Sequence, residues 1–125
     1  MTLKYFTVEE ANALLPTLEP MLKEVLDRRA RVSHIVQGEK ELLSDFQSNI
    51  GNETTSSMVQ DFIAIETLLT EIRSYGCTVK DINAGLLDFL CDRNGRDVYL
   101  CWKYGEPEVS YYHELHTGFQ GRQQI

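Results

Sequence analysis

The chain has 125 residues and carries 12 Lys and Arg against 19 Asp and Glu, a net charge of -7. That length accommodates one domain, 1–125, which can bury roughly two-thirds of its unfolded surface, and the acidic balance excludes nucleic acid and membrane as expected partners, since both are bound through clustered Lys and Arg. A hydrophobic fraction of 42% with 25% charged residues excludes global disorder.

The opening residues hold no basic region followed by an apolar run, so no signal peptide is expected. Nowhere does an apolar run reach the roughly 20 residues that span a bilayer. Thr7 followed by Glu10 is a capping box, in which each side chain satisfies the other residue's orphan backbone N–H. It predicts a short helix from Val8 to about Leu15, ended by Pro16, which biases its predecessor away from helical geometry. Thr17 then caps a second helix with Pro20 in its first turn.

From Leu18 apolar residues recur in steps of four and three through Leu22, Val25, Val32, Val36, Leu43 and Phe46, a stripe along one long helix. Arg28, Arg29 and Arg31 form a basic group within it. Glu24 and Asp27 stand four residues before Arg28 and Arg31, so the group reads as a paired, solvated face. Ser48 to Ser57 is a loop by composition. Met58, Phe62, Ile65, Leu69 and Ile72 mark a shorter helix that stops at Gly76, a residue suited to the left-handed end of a helix. The two helices are expected to fold back as an antiparallel hairpin over 1–76, with Leu43 and Phe46 near Met58 and Phe62. The longer helix outruns the shorter one, and its bare stripe must be covered by a sheet.

That sheet is expected in 77–125. Cys77 to Ile82 and Leu86 to Cys91 are strand-prone, and Asn94-Gly95 is a strong two-residue hairpin signal. Such a turn sets Cys91 opposite Val98, Phe89 opposite Leu100 and Leu87 opposite Trp102, an apolar face for the helices with Trp102 as its anchor. Leu90 with Tyr99 and Asp88 with Cys101 fall on the other face. A second turn at Gly105-Glu106 continues the meander and places Val109 beside Trp102, Tyr111 beside Leu100 and Tyr112 beside Tyr99. The fold class is therefore α+β: a long antiparallel helical hairpin with a short N-terminal helix, packed on a three- to four-stranded antiparallel meander.

Three kinds of chemistry compete for the polar residues of this sheet. Imidazole and carboxylate together suit zinc, iron or manganese, so Asp88, His113, Glu114 and His116 are candidate ligands for a divalent transition metal. Asp88, Glu106, His113 and Arg122 are candidates for a small ligand, with Arg122 also able to tie the tail to Asp88 or Glu114. HELH does not reach the two-His spacing of a zincin helix. An apolar outer face with Tyr99, Tyr112, Leu86 and Leu90 suits a protein partner or a second copy of the chain. Catalysis is the weakest reading: Ser110 and His113 fall on opposite faces, and Cys101 has no neighbouring base or cation to activate it. Cys77, Cys91 and Cys101 are odd in number and form no CxxC, which argues against a disulfide framework or a thiolate zinc site and for a reducing cytoplasm.

GLLDF, RNGRDVYLCWKYGEPEVSYYHEL and GFQGR, together with the amino-terminal YFTVEEANALLPTLEP, resemble the bacterial family named domain of unknown function 2203. Tyr112 holds the place of the aromatic that this family usually has before the His. The resemblance covers nearly the whole chain and implies the architecture and a bacterial source. It implies no particular activity, so the expected function is that of a non-catalytic binding or interaction module, a homo-oligomer or the partner of another protein, with metal or small-ligand binding as the alternative.

Overall fold

The structure, a computed structural model, describes residues 3–38 and 53–125. The capping box forms as the sequence dictates: Thr7 N donates to Glu10 Oε1 at 2.9 Å and Glu10 N to Thr7 Oγ1 at 3.1 Å. The helix it starts does not stop at Pro16. Helix α1 runs unbroken from Val8 to Gly38 with Pro16 and Pro20 inside it. Both prolines are exposed, while Ala11, Leu15, Leu18, Leu22 and Val25 are buried. An interior Pro costs roughly 3 kcal/mol, and continuous burial of that stripe outweighs it at about 1.5–3 kcal/mol for each large apolar side chain.

Helix α2 spans Glu53–Ser74, so the second half of the stretch read as a loop is helical. The contacts expected of Leu43 and Phe46 lie outside the described residues. At the other end of α2, Gly76 adopts φ 103° and returns the chain to the start of α1, where a Cβ on Gly76 would stand 2.8 Å from Lys4 Cδ and 3.3 Å from Phe6 Cζ. Gly76→Ala is expected to cost about 1–2 kcal/mol, the penalty of left-handed backbone for an L side chain. Urea titration should show a lower midpoint at unchanged slope.

One pairing of the basic group forms as expected, Arg28 with Glu24 at 2.8 Å. Asp27 instead pairs with Lys23. Arg31 and Arg28 both reach across to Asp61 of α2, which is buried. The basic group is thus a clasp between helices as well as a solvated face.

The sheet has five antiparallel strands in sequence order, one or two more than expected: β1 (Thr78–Asp81), β2 (Leu86–Arg93), β3 (Arg96–Lys103), β4 (Tyr111–Glu114) and β5 (Gln123–Gln124). Asn94 and Gly95 both take positive φ, 54° and 83°, as a type I′ turn requires. The turn sets Cys91 opposite Val98, Phe89 opposite Leu100 and Leu87 opposite Trp102, as the sequence predicts. These six residues are buried in one cluster with the α1 stripe and with Ile65, Leu69 and Ile72 of α2. Phe6 closes the cluster at its edge, donating N–H to the Leu90 carbonyl at 2.7 Å and meeting Phe89 edge-on at 5.2 Å.

Candidate metal centre on the outer sheet face

Strand β4 departs from expectation by one residue. Tyr111 pairs with Cys101, Tyr112 with Leu100 and His113 with Tyr99. A slip of one exchanges the two faces of a strand, so Tyr112 enters the core and His113 moves to the outer face. The cause lies in the segment between Gly105 and Ser110, which is not strand. Side chains hold it in place of a ladder: the Trp102 indole donates to the Glu106 carbonyl at 3.0 Å, Glu106 Oε1 accepts from Lys103 N at 2.6 Å, and Asn12 Oδ1 of α1 accepts from Val109 N at 2.7 Å. An irregular stretch fastened this way absorbs the odd residue.

The slip brings three strands to one point. Asp88 of β2 and Cys101 of β3 are cross-strand partners, and His113 of β4 reaches them from the next strand. The three side chains are 1–2% exposed, and their ligating atoms all lie within 4.8 Å of one another. His113 Nε2 stands 3.1 and 3.2 Å from the two Asp88 oxygens, and Nδ1 stands 2.8 Å from the Glu114 carbonyl. A carbonyl only accepts, so Nδ1 carries the proton and donates it there. Nε2 then faces the carboxylate, and contact at that distance requires a proton or a cation between them.

A backbone carbonyl that holds one ring nitrogen and aims the other is the usual outer partner of a metal-bound His. Zinc bonds of about 2.0–2.3 Å to O, N and S put neighbouring ligands of a tetrahedron about 3.3–3.6 Å apart. The Nε2–Oδ separations are therefore within a few tenths of an ångström of a tetrahedral edge, and the sulfur, within 4.8 Å of both partners, needs to close by no more than about 1.3 Å. A carboxylate and a thiolate with a neutral imidazole also cancel the charge of a divalent ion, as burial demands.

Nucleophilic chemistry fits less well. Burial first, and the Asp88 charge after it, push the Cys101 thiol up to about 12. The His113 nitrogen that would be oriented in a thiol–imidazole triad is bound to a backbone carbonyl instead.

The four metal candidates read from the sequence do not assemble. Asp88 and His113 meet, but Glu114 turns to Arg96 at 2.8 Å, and His116 is exposed beyond the end of β4. Cys101 takes the third place, and the absence of a CxxC spacing hid it, because its partners come from different strands. The small-ligand set divides into two pairs. Asp88 lies with His113, while Arg122 binds both oxygens of Glu106 at 2.7 Å and does not tie the tail to Asp88 or Glu114. Of the four residues expected on a partner surface, Tyr112 and Leu86 are buried, whereas Leu90 and Tyr99 are half-buried.

Comparison with curated proteins and with solved structures finds no match. The family model described as an uncharacterized conserved protein (DUF2203) matches residues 4–125, essentially from end to end, and the chain belongs to that family.

Proposed function

We propose that this protein binds one zinc-like divalent ion through Asp88 Oδ, Cys101 Sγ and His113 Nε2, and that it acts as a binding module and not through a thiol or hydroxyl nucleophile. The observation in its favour is the His113 ring, whose Nδ1–H is committed to the Glu114 carbonyl so that Nε2 points at Asp88 beside a buried sulfur. A thiolate ligand favours zinc over magnesium or calcium, which prefer all-oxygen sites.

The test is to strip the protein with chelator and titrate it with Zn2+ and, separately, with Co2+. One equivalent should bind, and the cobalt form should show the intense thiolate charge-transfer and tetrahedral ligand-field bands. Cys101→Ala should weaken affinity at least 100-fold and abolish the thiolate charge-transfer band, and His113→Ala should weaken affinity to a similar extent. A folded wild-type chain that takes up no stoichiometric ion ends the proposal.

A homo-oligomer is the second reading. Val59, Phe62 and Ile63 are 49–61% exposed on neighbouring positions of α2, an apolar patch of the kind that meets another protein surface. Light scattering should give a dimeric mass that Phe62→Glu returns to monomer, whereas a monomeric wild type at high concentration removes this reading.

A further inference from the structure

Asp88, Cys101 and His113 point away from the helices, on a face that a bare sheet leaves open to water. They are nevertheless 1–2% exposed, and residues after β4 cross this face. The chain turns at Thr117, passes through a 3-10 turn at Phe119–Gly121, and returns as β5, which pairs with Tyr111 and Tyr112. Arg122 lies at the centre of the crossing: its guanidinium stacks over Tyr111 at 4.0 Å and Phe119 at 4.7 Å, ion-pairs with Glu106, and approaches the Cys101 carbonyl at 3.5 Å. Lys103 Nζ also lies over the Phe119 ring, at 5.6 Å.

This cover is weakly held. No residue from 115 to 125 belongs to the hydrophobic core, and Leu115, Phe119 and Ile125 remain 40–49% exposed. Arg122 Nε is buried without a hydrogen-bond partner, so the guanidinium is incompletely satisfied when the segment is closed. Segments with few buried apolar contacts open locally at a small fraction of the global unfolding free energy. The cover is also joined to the centre: the Glu114 carbonyl that orients His113 accepts at 3.2 Å from both the backbone N–H and the hydroxyl of Thr117.

We propose that residues 115–125 form a lid over the Asp88–Cys101–His113 centre, latched by the Arg122–Glu106 pair, and that its opening controls access to the centre. This rests on the metal reading for what passes the lid, although the lid itself is testable without metal. When the lid lifts, Cys101 becomes reachable from solvent, whereas Cys77 and Cys91 stay behind the helices.

The test is alkylation of metal-free protein with iodoacetamide, followed at each cysteine by mass spectrometry, in wild type, Arg122→Ala and Gly121→Ala. The second variant leaves the latch intact and forces the lid sterically, since a Cβ at 121 would lie 2.7 Å from Thr117 Cβ. Both should raise the Cys101 rate about 10-fold or more while the Cys77 rate stays within about 2-fold. Equal acceleration at Cys77 means general loosening and overturns the lid, as does an unchanged Cys101 rate in both variants. In zinc-loaded protein, Arg122→Ala should release metal to a chelator about 10-fold faster. Selective exposure of Cys101 in a chain that binds no ion sustains the lid and removes the metal reading alone.

Discussion

Replacing Trp102 by Ala should lower stability by about 3–5 kcal/mol, the loss typical of a large aromatic side chain removed from a core. The indole is fully buried, stands opposite Leu87 on the helix-facing side and meets Tyr104 edge-on at 6.3 Å. It also carries a directional bond, donating Nε1–H to the Glu106 carbonyl at 3.0 Å. Trp102→Phe keeps most of the apolar body and loses that bond, so it should cost only about 1–2 kcal/mol. A domain of this size has roughly 6–19 kcal/mol in total, so the Ala variant should remain folded at room temperature with its melting temperature lowered by about 10–20 °C. The Glu106 segment links this substitution to the centre. Glu106 holds Arg122, so loosening the indole's grip on the Glu106 carbonyl should raise Cys101 reactivity even in the milder Phe variant. Equal stability of the Ala and Phe variants in thermal and urea unfolding would show that the indole body contributes little.

How much of this could be read in advance divides along a physical line. The β2–β3 hairpin was legible to the residue because Asn94-Gly95 admits one turn type and a two-residue turn admits one register. The pairing of Asp88 with Cys101 followed from it. The stripe of α1 was legible too, but its continuity was not. Pro16 and Pro20 are local stop signals, and only the burial of Ala11, Leu15 and Leu18 in one cluster with a sheet that begins at Thr78 shows that the helix continues through them. The register of β4 was hidden for a similar reason. Gly105 marks a turn, yet the residues after it are positioned by Asn12, Trp102 and Lys103, which contribute nothing to a local turn pattern. That single slip decides whether His113 faces the core or meets Asp88, so the centre was legible in its residue types and not in its assembly. Cys101 was visible as Asp88's neighbour, and its partnership with His113 became apparent only with β4 in place.

Asp61→Ala should cost about 2–3 kcal/mol at neutral pH, and the loss should shrink as the solution is acidified. Asp61 is 1% exposed and accepts from Arg28 Nη1 at 3.0 Å, from Arg31 Nε at 2.9 Å and from Arg31 Nη2. Breaking a fully buried ion pair costs about 3–5 kcal/mol because it strands a charge. Here the stranded charges are arginines on the rim, with side chains 27% and 53% exposed, which water can resolvate. That places the expected cost below the buried range.

The Arg31 hydrogen bonds, reinforced by the charges of Arg31 and Arg28, hold the Asp61 carboxyl below its usual value of 3.8 against the opposing effect of burial. A depressed folded-state pKa means that the unfolded chain binds the proton first. The clasp's contribution is therefore complete above the unfolded value near 4 and is lost as pH falls from there through the lower folded value. Other carboxylates titrate in the same window, so the informative quantity is the stability difference between wild type and Asp61→Ala, measured by urea unfolding from pH 7 down to pH 3. That difference should be flat above about pH 5 and should narrow below pH 4. A difference that stays constant to pH 3 would mean that Asp61 acts by packing and not by its charge. In that case the two helices are held by their apolar stripe alone.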